Sequence, residues 1–266
     1  MSQTYTIGVE FIETDPREAV APAKKSSAKK APAKKTAAKK SPAKKTSAKK
    51  TTAKKTPAVA TAAETTTIAL PGGVELAMVR IPGRDYWMGK FPVTQAQWKA
   101  VTGENPSEFE GSENPLENVS WDACQAFLKT LNGLDVVQKS GLVFRLPEEA
   151  EWETACRAGA TGKYCKLADG TEITEETLGE VAWFDENSDD TTHPVGRKQP
   201  NAFGLYDMHG NVCEWTATAV GGNRVLRGGS WNRSAWYCKS SLRIWYSPSY
   251  RSYYLGFRLC ASGRAD

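Results

Sequence analysis

Histidine is nearly absent from this 266-residue chain: His193 and His209 are the only two. Two imidazoles exclude a three-histidine metal site within one chain and argue against a histidine-rich iron centre. The six cysteines, at 124, 156, 165, 213, 238 and 260, include no CxxC pair. That argues against a zinc ribbon and a thioredoxin-type redox motif. No run of about 18 apolar residues occurs, so no membrane-spanning helix is expected. Residues 1–10 lack a basic start followed by an apolar stretch, so no secretory signal is read there. Free thiols are then the expected state, and the cytoplasm the expected location, with a virion as the alternative. With 40% hydrophobic residues the chain can bury a core without staples. Its length suits one large domain or two ordinary ones.

Acidic residues are missing from one region altogether. Between Pro22 and Lys55 a five-residue unit of the form AKKxx recurs seven times, and it contains no Asp or Glu. It holds 14 of the 35 basic residues: Lys24, Lys25, Lys29, Lys30, Lys34, Lys35, Lys39, Lys40, Lys44, Lys45, Lys49, Lys50, Lys54 and Lys55. Residues 57–266 keep 20 basic and 26 acidic residues, so the net charge of +5 conceals a basic arm on a mildly acidic body. The arm has no apolar side chain larger than Ala and carries prolines at 22, 32, 42 and 57. It cannot bury enough surface to offset its ordering entropy. Residues 21–66 are therefore read as a disordered arm between a short segment, 1–20, and a domain, 67–266. Regularly spaced lysine pairs neutralise phosphates without reading bases, and the composition resembles histone-like tails. Binding of nucleic acid or another polyanion and a merely solvated linker remain equal alternatives. Residues 5–12 suit one strand, docked either on the body or on a partner.

The body is punctuated by turns: PGG at 71–73, PG at 82–83, and GG at 221–222 and 228–229. Three helices are expected. Residues 94–102 carry Thr94 as N-cap with Gln97 three residues on. Residues 120–132 place Trp121, Cys124, Phe127, Leu128 and Leu131 on one face behind a Ser120 cap. Residues 148–158 open with Glu148, Glu149, Glu151 and Glu153, carboxylates that suit a helix N-terminus without any acid–base role. Strands are expected at 74–81, 142–146 and 255–259. Residues 160–250 show no sustained period, which demands a framework of turns.

The motifs run in order: GGVELAMVRIPG, MGKFPVTQAQWKAVTG, NPLENVSWDACQAFLKTLN, FRLPEEAEWETACRAG, HPVGRKQPNAFGLYDMHGNVCEW, RVLRGGSW and LGFRL. Over about 70–262 this series resembles the formylglycine-generating enzyme, or sulfatase-modifying factor, family. The resemblance implies an α+β, C-type-lectin-like fold with a small antiparallel sheet, few helices and long ordered loops. It also implies a copper-dependent oxidase whose two metal-binding cysteines follow RGGS as C-x4-C. Here the segment reads RGGSWNRSAWYCKSSLR. Only Cys238 is present, and Arg233 holds the partner position. Copper is not expected, Cys238 reads as a small buried hydrophobe, and no catalytic residue is assigned. The family's iron-binding branch needs more histidines than two, so His193 and His209 read as structural. The resemblance further implies a structural Ca2+ held at Asp207, Gly210, Val212 and Glu214, an oxygen donor set. A second family ion site near 182–196 is not carried over, because Trp183 stands where an oxygen ligand is expected.

Residues 231–254, WNRSAWYCKSSLRIWYSPSYRSYY, hold eight aromatic residues and six serines, and no acidic residue occurs from 215 to 265. The mixture of Tyr, Trp, Ser and Arg is that of a paratope and of interface hot spots. So many Tyr and Trp in an irregular segment would waste hydroxyls and indole N–H groups if all were buried. The position of this segment, between RGGSW and GFR at the chain's end, is similar to that of the variable proteins of diversity-generating retroelements, which vary chosen positions there. That resemblance makes Asn232, Arg233, Ser234, Trp236, Tyr237, Leu242, Ile244, Trp245, Tyr246, Ser249, Tyr250, Ser252, Tyr253 and Tyr254 the expected exposed ligand contacts. The chain thus reads as a non-catalytic binding protein for a protein or other ligand. The alternatives are a copper-dependent oxidase of substrate cysteine and a polyanion binder dominated by its arm.

Overall fold

The computed structural model describes Gly8–Val9 and residues 63–264. The arm lysines and most of the 5–12 stretch lie outside the described residues. The first helix, α1 (Gln95–Thr102), starts where its cap chemistry dictates. Thr94 Oγ1 accepts the Gln97 N–H at 3.2 Å, and Gln97 Oε1 accepts the Thr94 N–H at 3.0 Å. The helix stops at Gly103, whose φ of 85° ends the turn. Ser120 caps α2 (Trp121–Gly133) in the same manner, and Cys124, Phe127, Leu128 and Leu131 are its buried face. A short α3 (Asp135–Lys139) follows. In α4 (Glu149–Arg157) Glu148 and Glu151 form a reciprocal cap, and Trp152, Ala155 and Cys156 turn inward.

Two five-stranded sheets carry the rest. One runs β2 (Thr65–Ala69), β3 (Glu75–Arg80), β4 (Trp87–Gly89), β12 (Cys260–Gly263), β5 (Leu142–Arg145) in spatial order. The other runs β1 (Gly8–Val9), β10 (Ile244–Tyr246), β9 (Asn223–Arg227), β8 (Cys213–Val220), β11 (Leu255–Phe257). All their pairings are antiparallel except β8 with β11. A separate parallel pair joins β6 (Ala182–Trp183) to β7 (His209–Gly210). Trp98 stacks on Phe127 at 5.0 Å, and Phe257 meets both rings edge-on, which seats α1 and α2 on β11.

Three differences from the sequence expectation have physical causes. The arm was expected to reach residue 66, but Thr65 and Thr66 belong to β2. β-Branched side chains suit a strand, and Thr65–Ala69 pairs in full register with β3. Residues 160–250 hide β8, β9 and β10. β8 is buried on both faces through its first half, so it shows no alternation, and a register shift lies between Trp215 and Ala219. Finally, Gly8 and Val9 pair with Trp245 and Ile244, so the described part of the early strand docks on the body. Among the described residues no helix is long and apolar enough to cross a membrane.

Candidate functional site

The segment between β9 and β11 begins with a forced turn. Gly228 and Gly229 have φ of 100° and 72°. A Cβ on Gly229 would lie 2.6 Å from Cys238 Sγ, so only glycine lets the two backbones meet. The segment is then tied down at intervals. Trp231 N–H donates to Asn211 O, Ser188 Oγ to Trp231 O, and Asn118 N–H to Ser252 O, at 2.8–3.0 Å. Arg227, 1% exposed in its side chain, donates to Ser240 O and Ser241 O while pairing with Glu149 and Glu153. Residues 231–254 are long but ordered by the rigid frame beneath them.

Exposure of the proposed contacts is uneven. Tyr253, at 36%, and Ser249 are exposed. Asn232, Arg233, Ser234, Tyr237, Leu242, Trp245, Tyr250 and Ser252 are half-buried. Trp236, Ile244, Tyr246 and Tyr254 are buried, which corrects their expected exposure. For Ile244 and Tyr246 the reason is strand period: in β10 they face the core and Trp245 faces out. For the tyrosines it is hydroxyl pairing. Tyr254 Oη lies 3.3 Å from Tyr246 Oη and 3.2 Å from Tyr250 Oη, and Tyr246 stacks on Tyr250 at 4.4 Å. Phenols that bond one another can leave water at little cost. Burial raises the pKa of all three hydroxyls, so they remain neutral donors. Likewise Trp231 Nε1 donates to Tyr253 O at 3.2 Å. These buried rings do not waste their polar tips, because the tips find partners within the segment.

Two residues that the sequence did not single out shape this face. Phe109 meets Trp231 and Tyr253 edge-on at 5.2 and 6.4 Å. Glu117 is fully buried. Its Oε1 accepts the Phe109 N–H at 2.9 Å, and its Oε2 has no partner. Burial pushes this carboxyl up to about 7. The only sequence signal was a Glu inside NPLENVSW, between Leu116 and Val119, which are both buried.

The copper position is occupied by a cation. The Arg233 guanidinium sits 5.2 Å from the Tyr237 ring and 5.6 Å from the Tyr254 ring. Cys238 is fully buried, and burial raises its thiol well above the usual range. The cleft between Arg233, Tyr237, Leu242, Ile244, Cys213 and Gly229 is small, about 10 Å3, room for about one water. All six cysteines are free and buried.

Both carboxylates of the expected calcium set have protein partners. Glu214, 1% exposed, gives both oxygens to Arg258 at 2.9–3.2 Å, and Oε2 also accepts Trp152 Nε1–H at 2.6 Å. Asp207 accepts Gly196 N–H at 2.8 Å and Asn211 Nδ2–H at 3.4 Å, and burial pushes it up to about 6. Gly210 and Val212 enter the expected set through their main-chain carbonyls. The positive charge that Glu214 faces is Arg258. At the second family site Trp183 lies flat between His193 and the Lys198 ammonium, 3.8 Å from each. His193 Nε2 bonds Ser188 O, and His209 bonds Cys238 O through Nδ1 and accepts Cys165 N–H at Nε2. Burial lowers His209 to about 4, so it stays neutral within this frame. The four glutamates of α4 serve as cap and as anchors for Arg145, Arg157, Arg227 and Arg243.

Comparison with known proteins agrees with this frame. The chain is 31% identical over 199 residues to the chaperone protein LppX of Paenibacillus barcinonensis, covering 55% of this chain and 69% of that protein. It is 32% identical to the inactive C-alpha-formylglycine-generating enzyme 2 of Bos taurus, over 67% of this chain and 59% of the relative. The mouse formylglycine-generating enzyme matches at 29%, over 66% of this chain and 51% of its own length. The chain therefore spans between half and three fifths of these two enzyme-named relatives. Among solved structures, Treponema denticola variable protein 1 superposes with a TM-score of 0.65 at 30% identity, covering 74% of this chain and 99% of that one. The family profile described as the sulfatase-modifying factor enzyme 1-like domain matches residues 44–262. With that span matched, and with its helix caps, RGG turn and closing strands built by the motifs that run through it, the chain belongs to the sulfatase-modifying factor enzyme 1-like domain family.

Proposed function

We propose that the chain is a non-catalytic binding protein that presents the outward part of residues 231–254 to a protein ligand. The observation that carries this reading is Arg233, a cation held between two tyrosine rings where the oxidase branch needs a thiolate. Thiolate pairs suit Cu(I), and a guanidinium beside a single buried thiol does not. The contact surface is Tyr253, Ser249 and Arg251 with the half-exposed Trp245, Tyr250, Tyr237 and Asn232. A variable protein among the solved relatives, and a relative named inactive, support the same reading. Panning a displayed library of folded domains on the full chain tests it. Binders should lose about tenfold or more in affinity for Tyr253→Ala, as expected of an aromatic hot spot. Tight 1:1 Cu(I) binding with turnover of a cysteine peptide would sink the proposal in favour of the oxidase.

The seven lysine pairs favour a second role, tethering to a polyanion while the body recognises its ligand. Deleting 21–56 should flatten the dependence of DNA binding on salt. A slope that survives the deletion removes the arm from the account.

A further inference from the structure

Resting on the binding reading above, we infer that Arg233 is an anion anchor, whose guanidinium receives a carboxylate from an acidic side chain of the protein ligand. Three other arginines of this region are held by carboxylates. Arg227, 1% exposed in its side chain, pairs with Glu149 and Glu153. Arg258, wholly buried, pairs with Glu214. Arg243 pairs with Glu149. Each of these three cations has its anion, which offsets the cost of desolvation, and half-buried Arg224 instead lies 3.9 Å over the Trp121 ring and donates to Ala217 O.

Arg233 breaks that pattern. It is half-buried, and the groups that act on it most strongly are Tyr254, Cys213, Tyr246 and Tyr237, all of them neutral near pH 7, while Asp185 is joined to it through the backbone, its N–H donating to Arg233 O at 3.1 Å. Among the described residues no carboxylate pairs with it. The rings of Tyr237 and Tyr254 fix the guanidinium by cation–π contact, so little rotamer freedom is left to lose on binding. Of the residues around the adjoining cleft, Arg233, Tyr237 and Leu242 are half-exposed and the rest are buried, so these three form its mouth. The cleft admits about one water, at about 10 Å3, so the anion meets Arg233 at this mouth and not on the cleft floor.

The surroundings select for negative charge. No acidic residue occurs from 215 to 265, and Arg251 is exposed on the same segment. A planar fork held at its flanks suits the two oxygens of a carboxylate. An acidic side chain reaching this mouth completes a charge pair that the fold leaves open. Specificity follows, because a ligand lacking the carboxylate leaves the cation desolvated and unpaired.

The probe is acetate, applied to the full 15N-labelled chain, with chloride at matched ionic strength as control. The Arg233 Nε–H resonance, identified by its loss in Arg233→Lys, should move saturably with acetate in the millimolar range and not with chloride. Arg251→Gln should retain the shift. Absence of the shift, or one equal in both salts, overturns the anchor. A second arm separates this inference from the reading beneath it. Domains selected on the full chain should bind Arg233→Gln at least tenfold more weakly, with the arm lysines present in both proteins. Binders sensitive to Tyr253→Ala but indifferent to Arg233→Gln would overturn the anchor and leave the face standing. Binders indifferent to both substitutions would remove the face itself. A native-like spectrum of Arg233→Gln is the control for folding.

Discussion

The arginines beneath the face and the arginine within it obey opposite rules. Under the face, Arg227, Arg243 and Arg258 are locked to Glu149, Glu153 and Glu214. Within it, Arg233 lies against the rings of Tyr237 and Tyr254, and the groups that act on it most strongly are neutral tyrosines and the Cys213 thiol. The lower layer spends its charges on holding β8, β9, α4 and β11 in one arrangement. The upper layer leaves a charge uncommitted. That division separates the charges that hold the frame from the charge that faces outward. The largest predicted effect follows from it. Glu214→Gln strands Arg258 in a dry core and should cost about 3–5 kcal/mol in urea unfolding. Arg233→Gln loses cation–π contact but relieves an unpaired charge, and should change stability by no more than about 1 kcal/mol. Equal losses for the two variants would erase the distinction between frame and face.

Glu117 lies at the join between these layers, and it gives the next effect in size. Its carboxyl, normally near 4.5, is raised to about 7 by burial, with Glu108 nearby and only backbone N–H groups of Phe109 and Glu108 to favour the charge. A raised carboxylate pKa means that the unfolded chain releases this proton first. The contribution of Glu117 is therefore fully present below about pH 4.5 and is lost as pH rises through about 7. Glu117→Gln should match the parent at pH 4.5 and be more stable than it at pH 8, by about 1–3 kcal/mol. Because Phe109 braces Trp231 and Tyr253, the same pH rise should lower hydrogen-exchange protection at the Phe109 amide. A stability difference between parent and variant that stays flat from pH 4.5 to 8 would mean that Glu117 is ionised throughout.

How much of this was legible beforehand depends on the range of the interaction. Thr94 with Gln97 and Ser120 with the Cys124–Leu131 face are local patterns, and both helices begin where those residues placed them. β8 was not legible, because burial on both faces removes the alternation that marks a strand. Four of the fourteen proposed contacts turned inward for reasons that no spacing displays. Tyr254 can be buried only because Tyr246 and Tyr250 supply hydroxyl partners, a fact of three-dimensional placement. Arg233 was marked by the sequence as the residue in place of a thiolate. That its charge stands alone became visible only when the ion pairs of Arg227, Arg243 and Arg258 could be set beside it.

The smallest predicted effect is one of calcium removal, and it tests whether the frame supplies its own cations. Asp207 and Glu214 match the family's calcium positions, yet Glu214 is paired with Arg258 and bonded by Trp152, and Asp207 accepts from Gly196 and Asn211. An ion that bound only the folded chain would add stability that grows as RT ln(1 + [L]/Kd), about 2.7 kcal/mol at a hundredfold excess over Kd. If Arg258 already neutralises Glu214, that dependence vanishes. Thermal unfolding with 5 mM EGTA should then match unfolding with about 1 mM added Ca2+ to within about 1 °C, since a full 1 kcal/mol moves a domain of this size by about 2–4 °C. A midpoint that climbs steadily with Ca2+ would require Glu214 to exchange Arg258 for the ion. Arg258 would then have to find new acceptors beyond the carbonyls of Gly89, Tyr206 and Asp207 that it already holds. Repeating the titration on Arg258→Leu sharpens the comparison. With the guanidinium gone, Glu214 and Asp207 are left as unneutralised acids in a dry pocket, and calcium dependence should appear where the parent has none. Dependence of the same size in parent and variant would show that arginine and ion never compete.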